Sequence, residues 1–153
     1  MHSDFRDLLL EFSAAGVEYL VVGAHALAAH GHVRATKDLD IWVRASNSNS
    51  KRVLGALRSF GAPLDGISES DFAEAGIVFQ IGVAPVRIDV LTEIDGVEFG
   101  DAWRERLVAD LTGLQVPVLS RRHLIVNKRC AGRLQDLADV ERLEDTAGDF
   151  ERR

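Results

Sequence analysis

Between Tyr19 and Val43 the chain reads YLVVGAHALAAHGHVRATKDLDIWV, and its end constrains the fold most: two carboxylates, Asp38 and Asp40, stand one residue apart inside an apolar run. In an extended strand alternate side chains share a face, so both acids point one way, about 7 Å apart along the backbone, while Leu39 and Ile41 point into a core. Two acids on one face repel unless a cation lies between them. Oxygen-only ligands of this kind suit Mg²⁺, which takes one or two carboxylates and fills its shell with water and phosphate. An Asp-x-Asp pair also occurs by chance on solvated strands, so its surroundings must decide.

Upstream, Tyr19 to Val22 form a short apolar run with two β-branched residues, and Gly23-Ala24 lead from it into an Ala- and Leu-rich segment. A strand entering a helix through Gly leaves backbone N–H groups free at the positive end of the helix dipole, a place for phosphate. Thirteen residues separate Ala24 from Asp38, which sets an anion site beside a cation site.

This arrangement resembles the nucleotidyltransferase superfamily, with its DNA polymerase beta-like fold: hydrophobic-Gly-[Gly/Ser], a short helix, then acid-hydrophobic-acid. The wording T-x-D-L-D-I at Thr36–Ile41 and the chain length resemble the AbiEii-like, toxin-related branch, and the likeness extends from about Phe5 to Leu143. The resemblance implies a mixed α/β (α+β) fold, a twisted sheet with flanking helices and a C-terminal helix pair. It also implies an enzyme that moves NMP from an NTP such as ATP to a hydroxyl acceptor with two Mg²⁺ ions. Ala24 departs from the pattern, removing a hydroxyl contact to phosphate but keeping the backbone N–H. Arg34 and Lys37 read equally as a solvated loop or as cations offsetting a triphosphate, and Thr36 would orient that loop.

Downstream, IVFQIGVAPVRIDVLT at residues 77–92 reads as two strands broken by Gly82 and Pro85, hence a hairpin. Val86, Ile88 and Val90 face one way, Arg87 and Asp89 the other. Asp89 is either half of a surface pair with Arg87 or, by the resemblance, the third carboxylate on the strand beside Asp38 and Asp40. The second reading is preferred, because it supplies what two-metal chemistry still lacks.

The C-terminal segment resembles the family's Lys followed by A-x-R-x-x-D-x-x-D. Lys128 would touch nucleotide phosphates, while Arg133 and Asp136 would brace the helix pair, with ordinary surface ion pairs as the alternative for Arg133, Asp136 and Asp139. Leu134, Leu137, Ala138 and Leu143 are the expected buried face of the last helix.

Other helices are expected at Ser3 to Ala15, on Phe5, Leu8, Leu9 and Phe12, and after Ser46 or Ser48, on Val53, Leu54, Leu57 and Phe60 up to Gly61. Residues 62–76 read as a loop with one helical turn, and residues 96–120 as a turn followed by a hairpin around Thr112-Gly113. His25, His30 and His32 lie close in sequence but in poor register for a metal site, so packing is the preferred reading.

With 153 residues, 46% of them apolar, the chain suffices for one domain, here expected at 1–145 with a polar tail at 146–153. Cys130 is the only cysteine, which excludes an internal disulfide. No signal peptide or membrane span is legible, so a cytoplasmic protein is expected. The net charge of −6 disfavours non-specific attraction to nucleic acid. One stretch, Arg121 to Arg133, holds five Lys or Arg and no acid, and could meet a polyanion.

Drug-modifying members of the superfamily usually carry a second domain for the acceptor, and none is legible here. A macromolecular acceptor, tRNA or protein, is therefore expected, and with it the toxin of a toxin-antitoxin pair with an antitoxin protein as partner. The alternatives are an antibiotic nucleotidyltransferase or a non-catalytic module that keeps the fold and acts through a protein partner, which Ala24 favours and the three acids oppose.

Overall fold

A computed structural model describes residues 2–33, 38–83, 86–111 and 113–151. Arg34, Thr36 and Lys37 therefore lie outside the described residues. The first helix, α1 (Ser3–Ala14), buries Phe5, Leu8, Leu9 and Phe12 on one face, as their spacing requires. Strand β1 (Tyr19–Val22) is buried along its whole length. It passes without a loop into α2 (Gly23–Ala29), after which β2 (Asp38–Val43) returns antiparallel beside β1.

Helix α3 (Asn47–Phe60) is capped by Ser46, whose side chain accepts from Asn49 N–H, and stops at Gly61, where φ is +93°. That left-handed turn is one only Gly adopts without strain. Asn49 itself is buried and ties three backbone groups together: it accepts from Glu18 N–H and donates to the Glu18 and Arg44 carbonyls. These bonds fix where β1 begins and β2 ends.

The expected helical turn in residues 62–76 is a 3-10 turn at Asp71–Ala73, anchored by fully buried Phe72. Strands β3 (Val78–Ile81) and β4 (Arg87–Leu91) pair antiparallel, as the hairpin reading requires. Residues 96–120 depart from expectation. Before the hairpin of β5 (Leu107–Leu111) and β6 (Leu114–Val118) the chain forms a short helix, α4 (Phe99–Arg104). It is held by ring contacts: Phe99 meets Trp42 edge-on at 4.9 Å and stacks on Trp103 at 5.7 Å.

Among the described residues the strands form one mixed sheet in the order β3-β4-β2-β1-β6-β5. Helices α1 and α3 pack together. The sheet's Leu39, Ile41, Val43, Ile88 and Val90 are almost wholly removed from water and join α1 and α3 in one core. Helix α5 (Arg121–Ala131), capped by Ser120, packs on α6 (Leu134–Glu151).

The buried face of α6 is a correction. Leu134, Leu137 and Ala138 are exposed, and the inward positions are Asp136, Asp139, Val140 and Leu143. The helix is turned this way because α5 presents a buried cation, Lys128, which the two acids satisfy. Hydrophobic spacing alone hides that pairing.

Candidate active site

The site begins with the register between β2 and β4. These strands run parallel with Asp40 opposite Asp89 and Asp38 opposite Arg87. Adjacent strands lie about 4.8 Å apart, so the three carboxylates and one guanidinium share a small patch of one sheet face.

Within it Arg87 is the internal counter-ion. Its Nη2 donates to Asp38 Oδ2 at 3.1 Å, and its Nε lies 3.3 Å from Asp89 Oδ1. Arg87 is thus more than the partner of Asp89 on an edge strand, for it bridges two of the three acids. The second bridge is poorly aligned, and both Arg87 Nε and Asp89 Oδ1 are buried without a hydrogen bond. Burial and the neighbouring charges of Asp89 and Asp38 push the Asp40 carboxyl up to about 6. Asp89 is likewise raised, chiefly by burial.

Gly23 completes the site. Its φ is +67°, and a Cβ there would overlap the Asp40 carboxylate. The glycine is therefore required twice, by its backbone and by the acid that fills its side-chain space. Ala24 follows it, half-buried in the first turn of α2, and no side chain caps that turn.

A cleft of about 250 Å³ opens beside these residues, lined by Gly23 and Asp40 on one side and by Asn127, Lys128, Arg133 and Asp136 on the other. Glu93 and Asp95 line it too, and sequence reasoning passed over both. The alternation that singled out Asp89 continues through Leu91 to Glu93 and would have found the first of them.

Lys128 lines the cleft but is not a free cation. Its Nζ donates to Asp139 Oδ2 at 2.9 Å and lies 3.5 Å from Asp136 Oδ1. All three side chains are buried, and this cluster is what braces α5 against α6. Arg133, by contrast, is largely exposed and binds Asp136 from only three residues away. Two of the three histidines behave as packing residues. His25 packs edge-on against Phe5 with Nε2 unpartnered, and His30 Nε2 bonds the Leu119 carbonyl at 2.9 Å.

Among the described residues no three His, Cys, Asp or Glu side chains already converge as a closed metal centre. Asp38 is instead drawn to Arg87. The chemistry nevertheless fits Mg²⁺: the donors are all carboxylate oxygens, Asp89 Oδ1 is buried and unsatisfied, and the Asp40 carboxyl is pushed up by burial and by the neighbouring acids, whose charge a cation would offset.

Comparison with known proteins now bears on this geometry. A family model described as a nucleotidyltransferase of unknown function (DUF6036) matches residues 5–145. The chain belongs to that nucleotidyltransferase family. No curated protein sequence matches it.

Three solved structures share its fold at low identity. A Thermotoga maritima protein assigned to the nucleotidyltransferases is 15% identical with TM-score 0.58, over 97% of this chain and 91% of that one. The lincomycin-bound lincosamide antibiotic adenylyltransferase LnuA is 13% identical with TM-score 0.61, over 94% and 96%. The antibiotic-resistance enzyme ANT(2")-Ia, in complex with adenylyl-2"-tobramycin, is 14% identical with TM-score 0.63, over 97% and 89%. The mixed sheet with flanking helices is therefore the nucleotidyltransferase fold. Among the described residues no helix is long and apolar enough to cross a membrane.

Proposed function

We propose that the protein transfers a nucleotidyl group from an NTP to a hydroxyl acceptor at the Asp38, Asp40 and Asp89 face. The observation that carries this reading is the β2/β4 register, which sets Asp89 directly opposite Asp40 beside Gly23. In the reaction the acceptor oxygen bonds the α-phosphorus as the bond to the β-phosphate oxygen breaks, and pyrophosphate leaves. Asp89, raised above the ordinary carboxylate range, takes the acceptor's proton. The Gly23 and Ala24 N–H groups and the Asn127–Arg133 wall hold the phosphates. Asp38, Asp40 and Asp89 would hold Mg²⁺, two ions by resemblance, which supplies electrostatic stabilisation of the phosphoryl oxygens when bound. To leave Asp38 free for it, Arg87 must give up that contact.

Two supports for a tRNA or protein acceptor are gone. A drug-modifying enzyme need not carry a second domain, since this chain covers 96% of LnuA, an antibiotic adenylyltransferase. The cations of the basic stretch are also already engaged. Arg122 pairs with Glu105, Lys128 with Asp136 and Asp139, Arg129 with Glu144 and Arg133 with Asp136, while Arg121 donates twice to the Leu143 carbonyl. A toxin role with an antitoxin partner now rests on the AbiEii-like wording of residues 36–41 and the chain length.

The test is incubation with each α-phosphate-labelled NTP and Mg²⁺, against tRNA, protein extract and small hydroxylated amines, beside Asp40→Asn and Asp89→Asn. Label that appears on one acceptor class and vanishes in both variants is the expected result. Label that persists in both would remove the acid face from the chemistry. Nucleotide binding with no transfer to any acceptor would favour the non-catalytic module.

A further inference from the structure

Arg87 stands where the acid face needs a cation. It lies on β4 in register with Asp38, on the same side of the strand as Asp89. Its guanidinium reaches both acids: Nη2 donates to Asp38 Oδ2 at 3.1 Å, and Nε lies 3.3 Å from Asp89 Oδ1. One positive charge is thus shared by two of the three carboxylates that fit Mg²⁺. A carboxylate cannot take the guanidinium and the ion together without drawing two like charges close, which costs energy.

The hold is loose. Among the described residues the Arg87 side chain makes one hydrogen bond, of the several a guanidinium can donate. The contact with Asp89 is misaligned, so Arg87 Nε and Asp89 Oδ1 are both buried and unsatisfied. The side chain is 39% exposed, and its head can reach water by turning its stem. An arginine keeps its proton at any working pH, so this clamp opens by displacement and not by titration. A divalent ion about 2.1 Å from carboxylate oxygens attracts them more strongly than the guanidinium does, but it must first shed water, whereas Arg87 is tethered to the strand and always present.

We infer that Arg87 is a positioning residue that competes with the divalent ion for Asp38 and Asp89, so that the acid face takes free Mg²⁺ only weakly. This role rests on the metal assignment within the nucleotidyl-transfer reading, but the competition needs neither nucleotide nor acceptor. Its consequence for the reaction is order. An NTP brings phosphate oxygens for the ion and an anionic partner for the displaced guanidinium, so the ion enters with the nucleotide and not ahead of it.

The test is calorimetric titration with Mg²⁺ alone, and thermal melting with and without it, on the parent, Arg87→Gln and Arg87→Lys. Arg87→Gln should bind Mg²⁺ at least tenfold more tightly than the parent, melt lower without the ion and regain most of that loss with it. Arg87→Lys keeps the charge and should stay closer to the parent than to Arg87→Gln. The gain should vanish in Arg87→Gln/Asp89→Asn. An affinity in Arg87→Gln no higher than the parent's overturns the inference, as does a gain that survives Asp89→Asn. Should Arg87→Gln fail to fold, the parent supplies the answer by NMR. The Arg87 Nε–H resonance, assigned by its absence in Arg87→Lys, should shift as Mg²⁺ is added, and a resonance that stays in place up to saturation overturns the inference. Transfer assayed in parallel separates the two readings: transfer without the gain in affinity leaves nucleotidyl transfer standing and removes the role of Arg87, while the gain without transfer does the reverse.

Discussion

At Gly23 the backbone turns through φ +67°, and the space a side chain would take is filled by the Asp40 carboxylate. Gly23→Ala must therefore strain the backbone and displace the acid together, costing about 1–3 kcal/mol, with urea unfolding as the measure. Transfer activity should fall further than stability does, because Asp40 moves. Asp40 gives the opposite sign. Its carboxyl is raised to about 6 from 3.8, so the folded protein binds more protons than the unfolded chain between those values. Stability is lost as pH rises from about 4 to 6, and the penalty remains in full above that window. Asp40→Asn should thus stabilise the metal-free protein at pH 8, by up to about 3 kcal/mol, and change little at pH 4. Melting in EDTA at both pH values checks it, and equal shifts at the two would mean that Asp40 is not held at the cost of stability. These two residues were legible from sequence because a Gly after a strand and two acids in alternation are local patterns. Arg87 was only half legible, since its bond to Asp38 depends on which strand lies beside β4.

Helices α5 and α6 show what local pattern misses. Lys128 is buried between Asp136 and Asp139, so its removal takes away the one buried cation the two carboxylates share, leaving Asp136 with Arg133 and Asp139 with Gln135. Lys128→Met should destabilise by about 3–5 kcal/mol, whereas Lys128→Met/Asp139→Leu should recover part of that loss. Thermal unfolding of the full cycle is the measurement. Additive losses would show that Lys128 and Asp139 act independently. The apolar residues of α6 led sequence reasoning to the wrong face, because Leu134 and Leu137 are exposed and acids point inward. Short α4 was missed for a related reason: its six residues are held by Phe99 against Trp42 of β2, a contact that no periodicity announces, and the i,i+4 pair of Phe99 and Trp103 is a single local signal. The hairpins, the cap offered at Ser46 or Ser48 and the stripe on α1 were legible, since each is fixed by residues within a few positions of one another.

Over the whole molecule, charge decides what the protein can approach. Its net charge is −6, and each of the five cations in Arg121–Arg133 is taken up by a carboxylate or, for Arg121, by a backbone carbonyl. Composition had marked that segment as a polyanion patch because a one-dimensional count cannot see Glu105, Asp139 and Glu144 arriving from other elements. Nucleic-acid affinity is dominated by counterion release from phosphates, one ion for about each cation engaged, and paired cations contribute little to it. Titration of fluorescent tRNA should therefore give no saturable anisotropy change at 50 mM salt, where such binding is strongest. Reversing charge at the pairing acids, Glu105→Lys and Glu144→Lys, frees Arg122 and Arg129 and adds two positive charges. Weak binding that fades between 50 and 200 mM salt should then appear. If the parent already binds tRNA with a steep salt dependence, then the ion pairs of α5 open in solution and a nucleic-acid acceptor regains its support.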